Sequence, residues 1–402
     1  MRVLIHSEAP FMSTGYGIPC RQVAVLLAEA GHEVIVSAYR GLHGKELQMG
    51  PIRILAGGAD KGGNDLLPIR YQHLNPDIVL ALHDIWTLSS ETLRLVPIAA
   101  WTPVDTLPIS QVTLRSLRQA RWALAYSKFG EREMRKAGLD PLYCPLGYDG
   151  EIFKPVDREQ ARAALKVDPE TYFAVFVGSN MGNPPRKSPD RIMQAWAKFI
   201  EQHPNSRLYM HTNPLPVDGG LNLVELAKHL RIPESALQFA DAYKLQCGAY
   251  ADETLAMILG AADVLVAPSR GEGFGMVPVQ AQACGTPVIV PAFSAQAELC
   301  FEGYQIPVDP LDNLEWHPAG GEVFNLYPDQ LLPGLEWGLE HRGDLALRAR
   351  VADAAQAYEV RRIFDRYTLP VLQYISEVHR SEHPQMNETV EPSLDATQEV
   401  AA

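Results

Sequence analysis

Val264-Leu265-Val266-Ala267 is followed, one proline later, by Ser269-Arg270-Gly271-Glu272-Gly273-Phe274-Gly275. A short apolar run entering a glycine-rich loop reads as a buried strand that ends in a turn. The next stretch, Met276–Cys284, reads as a helix. Pro278 suits its first turn, where a missing N–H costs nothing, and Gly285-Thr286-Pro287 stops it. The loop glycines let main chain approach a ligand closely, and the helix aims unpaired N–H groups at it. A diphosphate suits that geometry, with the Glu272 carboxylate open to sugar hydroxyls. The plainer alternative is a glycine-rich turn carrying a surface glutamate.

The same strand–turn–helix rhythm extends in both directions. Upstream in the same half lie Phe173–Val177 and Arg207–His211, and downstream Val288–Val290. The N-terminal half opens on Val3–His6, then a loop with Ser13-Thr14-Gly15-Tyr16-Gly17. A helix follows, with Val23, Leu26, Leu27 and Ala30 at i, i+3, i+4, i+7 spacing and Gly31 closing it. Val34–Val36, Ile78–Leu82, Ile98–Trp101 and Trp122–Tyr126 read as further buried strands. Such alternation predicts an α/β protein of two tandem, doubly wound Rossmann-like lobes facing across a cleft. The expected divisions are a first lobe over 1–150 and a second over 151–355, with Pro145–Pro155 as the linker. A C-terminal helix over 356–380 is expected to cross back to the first lobe, within an amphipathic end spanning 345–378. Residues 381–402, with five acidic residues and no Lys or Arg, read as an acidic disordered tail.

Composition narrows the function classes. The chain has 402 residues, 47% of them hydrophobic and 21% charged, which excludes global disorder. Its net charge of −13 argues against a generic nucleic-acid coat. Residues 1–150 nonetheless hold 15 Lys/Arg against 14 Asp/Glu, so the acidity resides in the remainder. Cys20, Cys144, Cys247, Cys284 and Cys300 are odd in number, scattered and without a CxxC pair, and read as reduced core thiols rather than a disulfide or zinc scaffold. The N-terminus lacks a signal-peptide pattern and no apolar run is long enough for a membrane span, so a cytoplasmic location is expected.

Glu272 to Val290, EGFGMVPVQAQACGTPVIV, resembles the donor-binding signature of retaining glycosyltransferases of family 4, which have the GT-B fold. That signature sets two glutamates seven residues apart, with glycines after the first and ACGTPVI after the second. Glu272 matches the first glutamate, which in the family contacts the donor sugar. Gln280 stands where the second would hold the ribose, and offers an amide oxygen without charge. Gly178-Ser179-Asn180 with Arg186-Lys187 resembles the strand, loop and basic residue that neutralise the donor diphosphate, Lys187 first and Arg186 as helper. Gly15, Tyr16 and Gly17 are similar to the family's glycine loop beside the donor phosphate, and His83 to its cleft histidine. Glu298 resembles the glutamate of the GGxxE segment. The resemblance implies Glu272, His83 and Lys187 as the catalytic set. Donor-binding residues would be Gly15, Tyr16, Gly17, Gly178, Arg186, Lys187, Gly273, Phe274, Gly275 and Gln280. It also implies a UDP- or GDP-linked sugar as co-substrate, retention of configuration, and neither cofactor nor catalytic metal; no DxD motif follows a strand.

The acceptor is sought in the first lobe. Arg115, Arg118, Arg121, Lys128, Arg132, Arg135 and Lys136 give residues 115–136 a basic balance, with Arg115 and Arg118 on one helix face and Arg121 continuing the stripe. A solvated helix face and a site for an anionic acceptor both fit. The TGYG, RKSPD and LYMHTNP stretches resemble a branch found in viral and archaeal genomes, which makes hydroxymethylated pyrimidine in DNA a candidate acceptor. Trp86, Trp101 or Trp122 would stack on a flipped base. Glycan or phospholipid acceptors are the alternative, as are a same-fold epimerase or phosphorylase and a donor-binding protein without turnover. Oligomeric state is not legible.

Overall fold

A computed structural model of the protein describes residues 1–382 except Val217. The tail predicted over 381–402 lies outside the described residues from 383 onward; Ser381 and Glu382 belong to a helix. The first lobe is an eight-stranded sheet of β1 (Arg2–Glu8), β2 (Glu33–Arg40), β3 (Leu47–Met49), β4 (Ile52–Leu55), β5 (Ile78–Leu82), β6 (Ile98–Thr102), β7 (Trp122–Ala125) and β8 (Leu142–Tyr143). The spatial order is β3-β4-β2-β1-β5-β6-β7-β8, parallel except for the β3–β4 pair. The second lobe holds β9 (Tyr172–Val177), β10 (Ser206–His211), β11 (Leu237–Phe239), β12 (Val264–Val266), β13 (Val288–Pro291) and β14 (Gly303–Ile306), all parallel in the order β11-β10-β9-β12-β13-β14. A small antiparallel pair, β15 (Leu314–His317) and β16 (Gly321–Phe324), stands apart.

Helices cover both faces of each sheet, so successive residues of one strand pack into different layers. Val3 and Ile5 join one core cluster while Leu4 joins another. In β9, Phe173 and Val175 face one way and Tyr172, Ala174 and Phe176 the other. Both sheets reverse their strand order at one place, between β1 and β5 and between β9 and β12. The loops that leave a sheet at such a reversal diverge and open a crevice. This placement sets the site.

Several contacts hold the lobes together. Leu107 and Glu322 exchange main-chain hydrogen bonds of 3.0 and 2.8 Å, so β16 grips the chain beyond β6. Glu298 accepts the Lys128 and Phe129 N–H groups at 2.8 and 2.7 Å, capping the first-lobe helix Lys128–Lys136 from the second lobe. The C-terminal end is not one continuous helix. It runs Leu345–Ala355, a tight turn Gln356–Tyr358, Val360–Ile363, a wide π turn Phe364–Thr368, then Leu369–Glu382. Glu359 interrupts it by capping the Arg361 and Arg362 N–H groups with its own carboxylate. The last helix lies on the first lobe, where Arg380 meets Asp77 at 2.8 Å and Glu382 meets Arg121 at 2.5 Å. Cys20, Cys144 and Cys284 are buried and Cys300 partly so, but Cys247 is exposed, outside the core expected for it. No helix among the described residues is long and apolar enough to cross a membrane.

Candidate active site

The four loops at the two reversals converge on one cleft of about 740 Å³. From the second lobe, the chain leaves β12 through Ser269–Gly275 into the helix Met276–Ala283. Gly275 precedes that helix at φ +99°, a left-handed conformation that favours glycine. No side chain caps the helix and its first turn carries no acid, so its leading N–H groups remain available to an anion. Gly271 and Gly273 have a different reason to be glycine from the ligand approach expected of them. A Cβ at Gly271 would run into the Asp105 carbonyl, and one at Gly273 into Pro103. Both make room for the opposite lobe.

Glu272 is buried and lies between two cations. Arg186 Nη1 stands 3.0 Å from one carboxylate oxygen and Lys187 Nζ pairs with the other. Arg186 also donates to the Gly271 carbonyl at 2.6 Å. The Glu272 N–H donates to Ser294 Oγ at 3.1 Å, which fixes the loop from behind. Burial penalises the Glu272 charge, but Arg186 and Lys187 outweigh it and hold the carboxyl down at about 2. Burial pushes the Lys187 ammonium below its usual range, with Glu272 resisting. The Arg186 guanidinium is held above its usual range, chiefly by Glu272. This side of the cleft is thus a charged triad whose cations have a carboxylate to release when another anion arrives.

Gly178, Arg186, Lys187, Gly273, Phe274, Gly275 and Gln280 all line the cleft, as do Gly15 and Tyr16 from the first lobe. Gln280 is 4% exposed. Two predicted residues lie elsewhere. Gly17 begins the helix Gly17–Glu29 and is packed beneath Met12, where a Cβ would strike the Met12 carbonyl. His83 does not project into the cleft. It is 1% exposed, its ring centroid 5.1 Å from that of His6 and 5.2 Å from that of Tyr39. Its Nδ1 is 3.1 Å from both the Asp84 carbonyl and Thr87 Oγ1, and Nε2 has no hydrogen-bond partner among the described residues. Burial, and then His6, holds its pKa well below the ordinary histidine range. The cause is the alternation of extended chain: when His83 points behind the loop, Asp84 points into the cleft. Glu298 is likewise spent on its helix cap rather than on the donor side.

Asp84 and Asp105 are the residues that sequence reading missed. Asp84 follows β5 and Asp105 follows β6, and both line the cleft. Their position just past strand ends was the available signal. Burial raises the pKa of each, and each lies close to another acid: Asp105 adds to the rise at Asp84, and Glu272 to that at Asp105.

The basic stretch 115–136 does not form the expected stripe. Its first helix ends at Leu117 with Arg118 as cap, and Arg121 sits beyond it against Glu382. Lys128 and Arg135 pair with Glu131, and Arg132 and Lys136 with Glu133. Trp101 is core, donating to the Cys144 carbonyl, and Trp122 packs on His379, so neither can stack on a base; Trp86 is exposed on the turn after β5. Most of the features offered for a DNA acceptor are therefore taken up by local pairing and packing, while Arg115 and Trp86 stay exposed.

Two Rossmann-like lobes with a charged cleft at their strand-order reversals define the GT-B fold. Residues 172–315, in the second lobe, match the family model described as group 1 glycosyl transferases. The D-inositol 3-phosphate glycosyltransferase of Geodermatophilus obscurus is 37% identical over 160 residues, 39% of this chain and 34% of that protein. The protein of the same name from Rhodococcus opacus is 36% identical over 171 residues, again 39% and 34%. The match thus spans about a third of the length of these curated relatives. Among solved structures, sucrose-phosphate synthase from Thermosynechococcus elongatus superposes with a TM-score of 0.69 at 18% identity, covering 96% of this chain and all of that one. Anabaena Alr3699/HepE in complex with UDP-glucose gives 0.61 at 16% identity, covering 95% of this chain and 100% of that one. These structural likenesses concern the fold.

Proposed function

We propose that the protein is a retaining glycosyltransferase that moves a sugar from a UDP- or GDP-linked donor to a carbohydrate hydroxyl. The observation that carries this reading is the Arg186–Glu272–Lys187 triad beside an uncapped helix N-terminus, inside a segment that matches group 1 glycosyl transferases. In this reading Lys187, Arg186 and the Met276–Ala283 helix amides bind the donor diphosphate, displacing part of the Glu272 pairing. Glu272 turns to the sugar hydroxyls and Gln280 to the ribose. Bond-breaking sends negative charge onto the leaving diphosphate, and the two cations stabilise it there without a metal ion.

Glu272 is not assigned as the nucleophile of a double displacement, because in this reading its carboxylate is turned to the sugar hydroxyls rather than to the anomeric carbon. The proposed step is a same-face transfer. The acceptor oxygen bonds to the anomeric carbon as the carbon–phosphate oxygen bond breaks, and the acceptor proton passes to the departing diphosphate. The relatives support a small carbohydrate-type acceptor by name, since those quoted are D-inositol 3-phosphate glycosyltransferases. DNA is not proposed.

The test is nucleotide release from pooled UDP- and GDP-sugars in EDTA, with sugars and cyclitols as acceptors and product mass and anomeric configuration read together. Acceptor-stimulated release with a retained linkage is expected. No release with any donor, loss of release in EDTA, or an inverted product would each defeat the corresponding part of the reading.

A further inference from the structure

The charge lining the cleft is divided by lobe. Glu8, Arg40, Asp84 and Asp105 come from the first lobe. Arg40 is 3.1 Å from Glu8, which also accepts the Thr14 hydroxyl, so that pair is internally neutralised. Asp84 and Asp105 lie in no ion pair among the described residues: Arg186 attracts both across the cleft but is itself paired with Glu272, and the Tyr16 and Trp86 side chains hydrogen-bond Asp84. The second lobe supplies Arg186, Lys187 and Lys244 against Glu272 and Asp252, and Asp252 is drawn to Arg21 at 3.0 Å. His211, also in the cleft, is held near 4 by burial and is neutral at pH 7. One wall is therefore positive and the facing wall carries two carboxyl groups that form no ion pair among the described residues.

That acidic wall also carries Tyr16, whose ring lines the cleft beside Asp84. A carboxylate with free lone pairs accepts hydrogen bonds from hydroxyls, and an aromatic ring packs against a sugar's C–H face. In their ionised form the same carboxyl groups repel a phosphate, and the cleft's low dielectric strengthens that repulsion.

Resting on the donor reading above, we infer that the acceptor is a neutral polyhydroxyl compound, a sugar or cyclitol without a phosphate, held by hydroxyls donating to Asp84 and Asp105. The anionic acceptor suggested by the basic stretch 115–136 is the wrong class for this wall. Asp84 and Asp105 then act as specificity determinants, selecting against negative charge rather than only for contacts.

The experiment uses the full chain loaded with UDP and titrates matched pairs: myo-inositol against inositol 3-phosphate, and glucose against glucose 6-phosphate. The unphosphorylated member of each pair should bind at least tenfold more tightly. Asp105→Asn, and separately Asp84→Asn, should narrow that preference at least threefold with UDP still bound. Two independent variants guard against one failing to fold. Equal or tighter binding of the phosphorylated members overturns the inference. So does binding of UDP with no binding of any of the four compounds. Failure of UDP itself to bind would instead remove the donor reading, and the inference with it.

Discussion

Replacing Glu272 by Gln keeps the shape of the side chain and removes its charge from between Arg186 and Lys187. The carboxyl is held at about 2, against an ordinary 4.5. Over that interval the linkage relation gives about 3 kcal/mol of native-state stability at pH 7. Arg186 is 49% exposed, so solvent screens part of its pairing, and about 2 kcal/mol is the better figure. The sign follows from the direction of the shift. A carboxyl that is more acidic when folded contributes fully above its unfolded value of 4.5, and the contribution drains away as pH falls towards 2. Urea unfolding of the wild type and Glu272→Gln at pH 7 and pH 3 reads this directly. The variant should be less stable by about 2 kcal/mol at pH 7, with the gap roughly halved at pH 3. A gap that is the same at both values, or absent at pH 7, would refute the idea that the triad is an ion-pair cluster in the folded protein.

Other consequences of the geometry are simpler to read. Gly273→Ala would push a methyl group into Pro103 across the cleft, so the lobes should separate and the radius of gyration by X-ray scattering should rise; an unchanged value would mean that the loops do not meet in solution. Glu298→Ala removes the cap that one lobe places on the other's helix, costing about 1 kcal/mol and speeding amide exchange at Lys128 and Phe129. His6 is buried beside His83 and held near 4 instead of 6.5, so it takes up a proton on unfolding within that window. Stability should therefore fall as pH drops from 6.5 towards 4, and His6→Gln should flatten the slope of the denaturation midpoint against pH.

The long strands were legible because a parallel strand buried on both faces is a continuous apolar run, as in Ile78–Leu82 or Tyr172–Val177. Short or half-exposed strands left no such run. Leu47–Met49, Leu142–Tyr143 and Leu314–His317 went unread for that reason. The loop Ser269–Gly275 was legible through its glycines, its proline and the helix behind it, yet the purpose of Gly271 and Gly273 was not. Their neighbours Asp105 and Pro103 are more than 160 positions away in sequence, and only the folded chain brings them together. The choice between His83 and Asp84 turned on which of two adjacent side chains faces the cleft, a parity that apolar patterning does not fix at a strand end. The basic stripe failed for a related reason. Helical spacing was extended past Leu117, where the helix stops, and the acids that neutralise the rest lie one turn away or at the far end of the chain.

The positive wall of the second lobe is proposed to hold a nucleotide diphosphate. Calorimetric titration of UDP and GDP into the wild type and Lys187→Ala, in EDTA, tests it most directly. One of the two nucleotides should bind the wild type, and Lys187→Ala should weaken it at least tenfold. Equal affinity for the two proteins, or no binding of either nucleotide to the wild type, would contradict it.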